Sequence, residues 1–274
     1  MKTWSLCLNT STIKPAPLLE KIAIAAKAGY QAIELWNDDV NEFQAVGGSL
    51  TDLKRRLDDS GLKVPSMIAL FYWMNDEGIE KAREFPEVKR RMEQAAALGA
   101  SHIVASPYPD LAPLDIGRAA ARYRELLELG ATIGITPAME FLGFQRNVYQ
   151  LEQAVAIAEQ SDHPQACIVL DPFHLYRGGS GFGGIRALKS VKISICHFND
   201  SPASPSQFQQ TDGDRVYPGD GILPLKQMLR DLDSIDYRGY LSVELFNESY
   251  WQRDLNDVAR TAREKTMNLL TSAS

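Results

Sequence analysis

Several features that mark particular classes of protein are scarce or missing in this sequence. It has three cysteines, at positions 7, 167 and 196, and no CxxC pair, which argues against a disulfide framework and suggests a reducing compartment. No apolar run approaches the roughly 20 residues that span a bilayer, and residues 1–15 lack a signal-peptide pattern. We therefore expect a cytoplasmic protein without a membrane partner.

An excess of basic residues is also missing. Lys and Arg number 29 against 35 Asp and Glu, a net charge of −6, whereas nucleic-acid binding favours a basic face. The predicted turn after the first strand, residues 8–15, lacks the GxGxxG pattern of dinucleotide-binding folds. These absences argue against a nucleic-acid partner and a dinucleotide cofactor.

What the sequence does contain is a repeated unit of an apolar strand and an amphipathic helix. Predicted helices end at Gly29, Gly61, Gly99 and Gly134, and an apolar strand follows each glycine, which is typical of αβ connections. The eight predicted strands lie within residues 4–9, 32–36, 62–70, 101–107, 135–141, 167–171, 192–200 and 240–246. Eight alternating strands and helices in 274 residues predict one α/β domain over residues 1–274. They favour a closed (β/α)8 TIM barrel over an open doubly wound sheet.

Each of the last four predicted strands closes on a residue that can bind a metal. These residues are Glu140, Asp171, His197 and Glu244. Because the C-terminal ends of barrel strands share one face, their side chains would line one side of the mouth. Three carboxylates and an imidazole suit one divalent ion, Mn, Mg, Co or Zn, and without an ion the carboxylates would repel each other. The alternative is that each acid caps the helix that follows it.

Two long loops follow the third and seventh predicted strands, at residues 72–85 and 201–221. Long loops in a compact domain are usually functional, and loops after barrel strands lie on the active face. Arg215, in the second loop, is therefore a candidate to balance the charge of the metal cluster and to contact a substrate oxygen.

Other side chains are candidate substrate contacts. Four aromatic residues would wall a sugar pocket or simply cover the top of the barrel: Trp36, Phe71, Tyr72 and Trp73. Glu34, on the second strand, would reach the mouth or pair locally with a lysine, and both readings stay open. His174, three positions after Asp171, is favoured as a functional residue over a packing residue of the loop.

Five stretches of the chain carry a family resemblance. They are MEFLG at 139–143, LDPFH at 170–174, CHFND at 196–200, DGDRVYPGDG at 212–221 and SVELFN at 242–247. In this order they resemble the xylose-isomerase-like TIM-barrel superfamily of sugar phosphate isomerases and epimerases, and within it the inosose (2-keto-myo-inositol) isomerases. The likeness runs from about residue 62 to residue 267 and is strongest after residue 136.

The resemblance implies a site and a reaction. It implies that Glu140, Asp171, His197 and Glu244 bind one divalent ion, that Glu140 and Glu244 move a proton, and that His174 and Arg215 contact substrate. The implied reaction is proton transfer between adjacent carbons of a keto-polyol or ketose, through an enediolate whose charge the ion stabilises.

Alternatives on the same metal set stay open. The 3-dehydroshikimate dehydratases and ketose 3-epimerases of this superfamily use the same ligands. In the 3-epimerases a second Glu follows the strand-five ligand by six positions, where this sequence has Arg146. Endonuclease IV shares the fold, but its three-zinc site needs more histidines than the four of this chain. A sugar-binding protein without turnover and a homodimer also remain open.

Overall fold

Eight parallel strands close into a barrel in the computed structural model, which describes residues 4–75, 78–81, 83–110, 112–188 and 192–273. Each strand pairs with its neighbour in the chain, and the eighth pairs with the first to close the ring. The predicted (β/α)8 barrel is thereby confirmed. The strands are β1 Ser5–Asn9, β2 Ala32–Trp36, β3 Ser66–Leu70, β4 His102–Ala105, β5 Thr136–Glu140, β6 Cys167–Leu170, β7 Lys192–Phe198 and β8 Tyr240–Val243.

The helices of the described residues follow the strands in the chain, and the last two come after β8. They are α1 Leu18–Ala28, α2 Asn37–Ala45, α3 Leu50–Asp59, α4 Phe85–Ala97, α5 Ile116–Ile133, α6 Leu151–Gln160, α7 Pro172–Arg177, α8 Leu225–Ser234, α9 Glu248–Trp251 and α10 Leu255–Ala273. Gly29 and Gly134 end α1 and α5 with φ of 84° and 87°, the left-handed conformation that glycine adopts without a steric penalty. None of the described helices has both the length and the apolar character needed to cross a membrane.

The barrel separates two apolar layers. A large core lies between the strands and the surrounding helices. A second, smaller cluster fills the inside of the barrel: Ile68, Ala69, Val104, Ala138, Cys167, Val169 and Ile195. The parallel register places Glu140 beside Val169 and His197 beside Ser242, so the ends of neighbouring strands meet at one rim. Polar side chains at these ends are therefore brought together above an apolar interior.

The structure contains helices that the sequence pattern does not predict. Helix α2 follows β2 directly, and only Asn37 and Val40 of its nine residues are buried, so it shows no apolar periodicity. Helix α7 begins directly after β6, with Pro172 at its first turn and Asp171 as its N-cap. Each of these helices starts where a strand ends, so both contribute residues to the surroundings of the barrel mouth.

The two predicted loops are only partly irregular. The loop at 201–221 contains short 3-10 turns at Gln207–Gln209 and Asp212–Asp214. The loop at 72–85 contains a 3-10 turn at Ile79–Lys81 and ends where α4 begins, while its residues 76, 77 and 82 lie outside the described residues.

Candidate metal centre

Four side chains from consecutive strand ends converge at the mouth of the barrel. Each of Glu140, Asp171, His197 and Glu244 offers one ligand atom, and these atoms all lie within 4.8 Å of one another. His197 Nδ1 is 3.0 Å from Glu140 Oε1, 3.1 Å from Glu244 Oε2 and 3.8 Å from Asp171 Oδ2. All four are buried, so water cannot screen the charges that they carry.

The orientation of His197 suits metal binding. Its Nε2 atom lies 3.3 Å and 3.2 Å from the two carboxylate oxygens of Glu34, whereas its buried Nδ1 atom, although close to carboxylate oxygens, makes no hydrogen bond of acceptable geometry within the described residues. A carboxylate that accepts the Nε2 proton leaves the Nδ1 lone pair free, which is the usual arrangement of a metal-ligating histidine. The free Nδ1 atom and the surrounding carboxylate oxygens therefore fit one divalent cation.

The pKa values of the cluster residues also favour binding of a metal ion. Burial opposes a charge on His197, but the carboxylates of Glu244, Glu34 and Glu140 outweigh it and raise the pKa of the imidazole well above its ordinary value. Burial also raises the pKa of Glu140 to about 7. In the metal-free protein the cluster therefore retains protons that a divalent ion would replace.

Asp171 has two roles at once. Its Oδ1 atom accepts the backbone N–H of Phe173 at 2.7 Å and of His174 at 3.3 Å, which caps α7. Its Oδ2 atom faces the cluster and accepts from Arg215 Nη1 at 2.8 Å. Helix capping and a place in the metal cluster are therefore compatible for this residue, one through each oxygen.

Arg215 reaches into the mouth from the loop between β7 and α8. Its Nη1 atom donates to Asp171 Oδ2 at 2.8 Å and to Glu244 Oε2 at 2.7 Å, and its Nη2 atom contacts Asp212. The side chain is 1% exposed, and its guanidinium lies 4.8 Å from the ring centre of Phe173. Arg215 therefore supplies a buried positive charge beside two of the four candidate ligands.

His174 lies between Arg215 and the backbone of the loop after β5. Burial, and then the charge of Arg215, lower the pKa of His174 to about 3, so its imidazole is neutral. Gly143 N–H donates to Nδ1 at 3.2 Å, and Arg215 Nη2 lies 3.1 Å from Nε2. A neutral imidazole has only one acceptor nitrogen, so the two donors compete. A ligand oxygen that accepts a hydrogen bond from Arg215 Nη2 and another from an Nε2–H of His174 would give each donor an acceptor.

Of the two readings of Glu34, the structure agrees with the one in which it reaches the mouth. It is buried inside the barrel mouth, where it accepts from Asn9 Nδ2 at 2.9 Å and from Ser242 Oγ at 2.7 Å, and it pairs with His197 rather than with a lysine. Glu34 therefore supports a candidate metal ligand through the Nε2 atom of His197.

The expectation that Trp73 contacts a substrate does not fit its position. The side chain is fully buried, donates its indole N–H to the carbonyl of Ser106 at 2.6 Å and packs against Tyr123 of α5, at 5.8 Å between ring centres. It belongs to the core between the strands and the helices. Trp36 is different, because it packs on the cluster inside the barrel and donates to Asn9 Oδ1 at 3.0 Å.

Two asparagines at the mouth are not among the residues that the sequence pattern predicts for the site. Asn9, the last residue of β1, donates from Nδ2 to Glu244 Oε1 at 3.1 Å as well as to Glu34. Asn199, just after β7, donates to both oxygens of Asp171, at 3.2 Å and 3.3 Å. In both cases the sequence signal is a polar residue at the end of an apolar strand.

Removal of the charge on Glu34 is expected to weaken metal binding. A carboxylate that holds a ligating histidine typically accounts for about 10- to 100-fold in metal affinity. We expect Glu34→Gln to lower the affinity for Zn²⁺ by that factor, measured by competition with a chromophoric chelator. Glu42→Gln, on the exposed face of α2, is the matched control. Equal affinities in both variants would show that Glu34 does not support the metal.

The fold and the mouth together define a (β/α)8 barrel with a buried cluster suited to one divalent ion. A family model described as xylose isomerase-like TIM barrel matches residues 22–269. The chain belongs to this family, as the five sequence stretches had indicated.

Individual relatives are enzymes. An inosose isomerase from Halalkalibacterium halodurans is 30% identical to this chain, over 97% of this chain and 96% of its own length. A 3-dehydroshikimate dehydratase from Pseudomonas aeruginosa is 28% identical over 85% of this chain, which matches 37% of that longer protein. A crystal structure of the IOLI protein with a bound zinc atom superposes with a TM-score of 0.90 at 27% identity, covering 98% of this chain and 99% of that one. This chain is likewise an enzyme.

Proposed function

We propose that this chain is an isomerase that moves the carbonyl group of a keto-polyol to the adjacent carbon, with an inosose as the first substrate to test. The observation that carries the proposal is the cluster of Glu140, Asp171, His197 and Glu244 under a buried arginine at the mouth of the barrel. The full-length similarity to an inosose isomerase supports the choice of substrate.

The proposed cofactor is one divalent ion held by these four residues. When bound, it would stabilise the negative charge that develops on substrate oxygens as a neighbouring proton is removed. The zinc atom in the similar IOLI structure supports Zn²⁺ as the first metal to test, ahead of Mn²⁺, Co²⁺ and Mg²⁺.

The two glutamates are proposed to move the proton. They close β5 and β8 and so flank the cluster from two sides, with Asp171 and His197 between them in strand order. Among the described residues no hydrogen bond reaches Glu140 Oε2, whereas both oxygens of Glu244 accept hydrogen bonds, from Asn9 and Arg215. A carboxylate oxygen without a donor is the more basic one. We therefore assign removal of the proton to Glu140. Glu244, protonated from solvent, would give a proton to the adjacent carbon, and Glu140 would release the abstracted proton to solvent.

Arg215 and His174 are proposed to hold the substrate. Both present N–H groups to the same small region, and a substrate oxygen there would accept from Arg215 Nη2 and His174 Nε2 together. Fixing an oxygen in this way would orient the neighbouring C–H bond toward a glutamate, and such orientation supplies much of the rate of proton transfer.

Two alternatives use the same cluster. Similarity to a 3-dehydroshikimate dehydratase favours a lyase, whose product would absorb in the near ultraviolet. A ketose 3-epimerase is less well supported, because Arg146 stands where those enzymes have a second Glu. In the structure Arg146 is exposed and pairs with Asp110 at 3.1 Å.

The proposal is tested by incubating the metal-loaded protein with an inosose in deuterated water. We expect an isomeric keto-inositol that carries deuterium on the carbon next to its carbonyl, because the abstracted proton can exchange with solvent. A product that carries no deuterium would point to a hydride shift. Absence of turnover on inososes, with ultraviolet absorbance appearing from 3-dehydroshikimate, would replace the isomerase with the dehydratase.

A further inference from the structure

The loop that carries Arg215 is held by one buried carboxylate. Asp200 follows β7 and is 1% exposed. Its Oδ1 atom accepts the backbone N–H groups of Ser201 at 2.8 Å and Leu223 at 3.0 Å, and its Oδ2 atom accepts those of Gly219 and Gly221, each at 3.0 Å. Four donors on one buried carboxylate offset part of the cost of removing its charge from water, although burial still raises the pKa of Asp200.

The backbone of Asp200 also pairs with the loop beside Arg215. Asp200 N–H donates to the carbonyl of Val216, and Val216 N–H donates to the carbonyl of Asp200, both at 3.0 Å. On the other side, Asn247 Nδ2 donates to the carbonyl of Arg215 at 3.1 Å. Arg215 therefore starts from a backbone position that is held on both sides.

The loop approaches Asp200 too closely for any side chain at position 221. A Cβ atom on Gly221 would overlap both the carbonyl oxygen of Ser201 and the carboxylate of Asp200. Because position 221 is a glycine, its N–H group can reach the Asp200 carboxylate. This hydrogen bond closes the loop formed by residues 201–221.

We propose that Asp200 is a positioning residue that places the Arg215 guanidinium on Asp171 and Glu244 and so sets the metal affinity of the cluster. It reaches neither the ligand atoms nor a substrate itself. Without the Asp200 carboxylate, the four backbone N–H groups lose their acceptor and the loop opens. The backbone of Arg215 is then no longer held in one position. The inference rests on the proposed metal site, but not on the identity of the substrate.

A double-mutant cycle on Zn²⁺ affinity tests this role, measured by chelator competition without any substrate. Arg215→Ala removes a positive charge 2.7 Å and 2.8 Å from two ligand oxygens, so we expect it to tighten Zn²⁺ binding at least about tenfold. Asp200→Asn should shift the affinity in the same direction. The double variant should bind no more tightly than Arg215→Ala alone, because Asp200 acts through that arginine.

Asp220→Asn is the matched control, since Asp220 lies in the same loop but pairs with Lys265 at the surface. An unchanged affinity in Asp200→Asn, or effects of Asp200→Asn and Arg215→Ala that simply multiply, would overturn the proposal. If Asp200→Asn does not fold, Asp200→Glu replaces it in the same cycle, because the longer side chain keeps the charge but displaces the carboxylate.

A second readout needs no metal and keeps the test independent of the proposed function. In the metal-free protein, Asp200→Asn should speed amide hydrogen exchange at Val216 and Gly221 at least about tenfold, whereas Asp220→Asn should leave it unchanged. Unchanged exchange in Asp200→Asn would refute the role of Asp200. Faster exchange in a protein that binds no Zn²⁺ would leave Asp200 as the loop anchor and reject the metal site instead.

Discussion

Glu244→Gln is expected to lower isomerisation of an inosose by roughly 10³-fold and to abolish deuterium incorporation into the isomeric product, because a positioned acid or base typically contributes about 10²- to 10⁴-fold. An amide cannot return a proton to carbon, and its single oxygen can accept from only one of the two donors that hold the carboxylate, Asn9 Nδ2 on Oε1 or Arg215 Nη1 on Oε2. Metal content is measured on the same samples, so that loss of proton transfer is separated from loss of the ion.

Two further variants distinguish the role of Glu140 from that of Glu244. If Glu140 removes the proton, Glu140→Gln should abolish exchange of the substrate C–H with solvent as well as turnover. Glu248→Gln, four positions after Glu244 on the exposed start of α9, should behave as wild type. A wild-type rate of deuterium incorporation into the product in Glu244→Gln would leave the two-glutamate mechanism without support.

Loss of the metal is expected to cost a large part of the stability of the protein. An ion present at about 1,000 times its dissociation constant adds about 4 kcal/mol to the free energy of unfolding. Chelation should therefore lower the melting temperature of the wild-type protein, and this difference should vanish in His197→Ala and in Asp171→Asn. His197→Ala removes a ligand atom from a cluster whose atoms lie within 4.8 Å of one another. In Asp171→Asn the single remaining oxygen cannot both accept the backbone N–H groups of α7 and face the ion.

The control for the metal experiment is a histidine outside the mouth. His163 lies in the turn after α6, and His163→Ala should retain both the metal and the effect of chelation. One ion per chain by elemental analysis is the expected stoichiometry. A wild-type metal content that survives in His197→Ala would place the ion elsewhere.

The barrel and the order of its strands could be predicted because the information is local. An apolar run, a glycine that ends a helix and the return of the next apolar run each depend on a few neighbouring residues. The same local pattern placed Glu140, Asp171, His197 and Glu244 at strand ends, and the closed ring of parallel strands then brings such ends to one rim.

Trp73 shows where this kind of inference fails. An aromatic residue in a loop after a strand looks like part of a pocket wall, but its indole N–H donates to Ser106, 33 positions away, and its ring packs on α5. The sequence around Trp73 contains no sign of either partner. Helix α2 was not predicted, because it buries too few apolar residues to produce a periodic pattern.

The sequence by itself determined the repeating unit, the number and order of the strands, and the residue types that close them. Only the tertiary structure decided that Glu34 supports His197, that Asn9 contacts Glu244 across a separation of 235 residues, and that Arg215 turns inward. The physical reason is the range of the forces involved. Secondary structure follows from backbone geometry and the periodicity of nearby side chains. Buried charge is stabilised only by partners that ring closure and loop anchoring bring from distant parts of the chain.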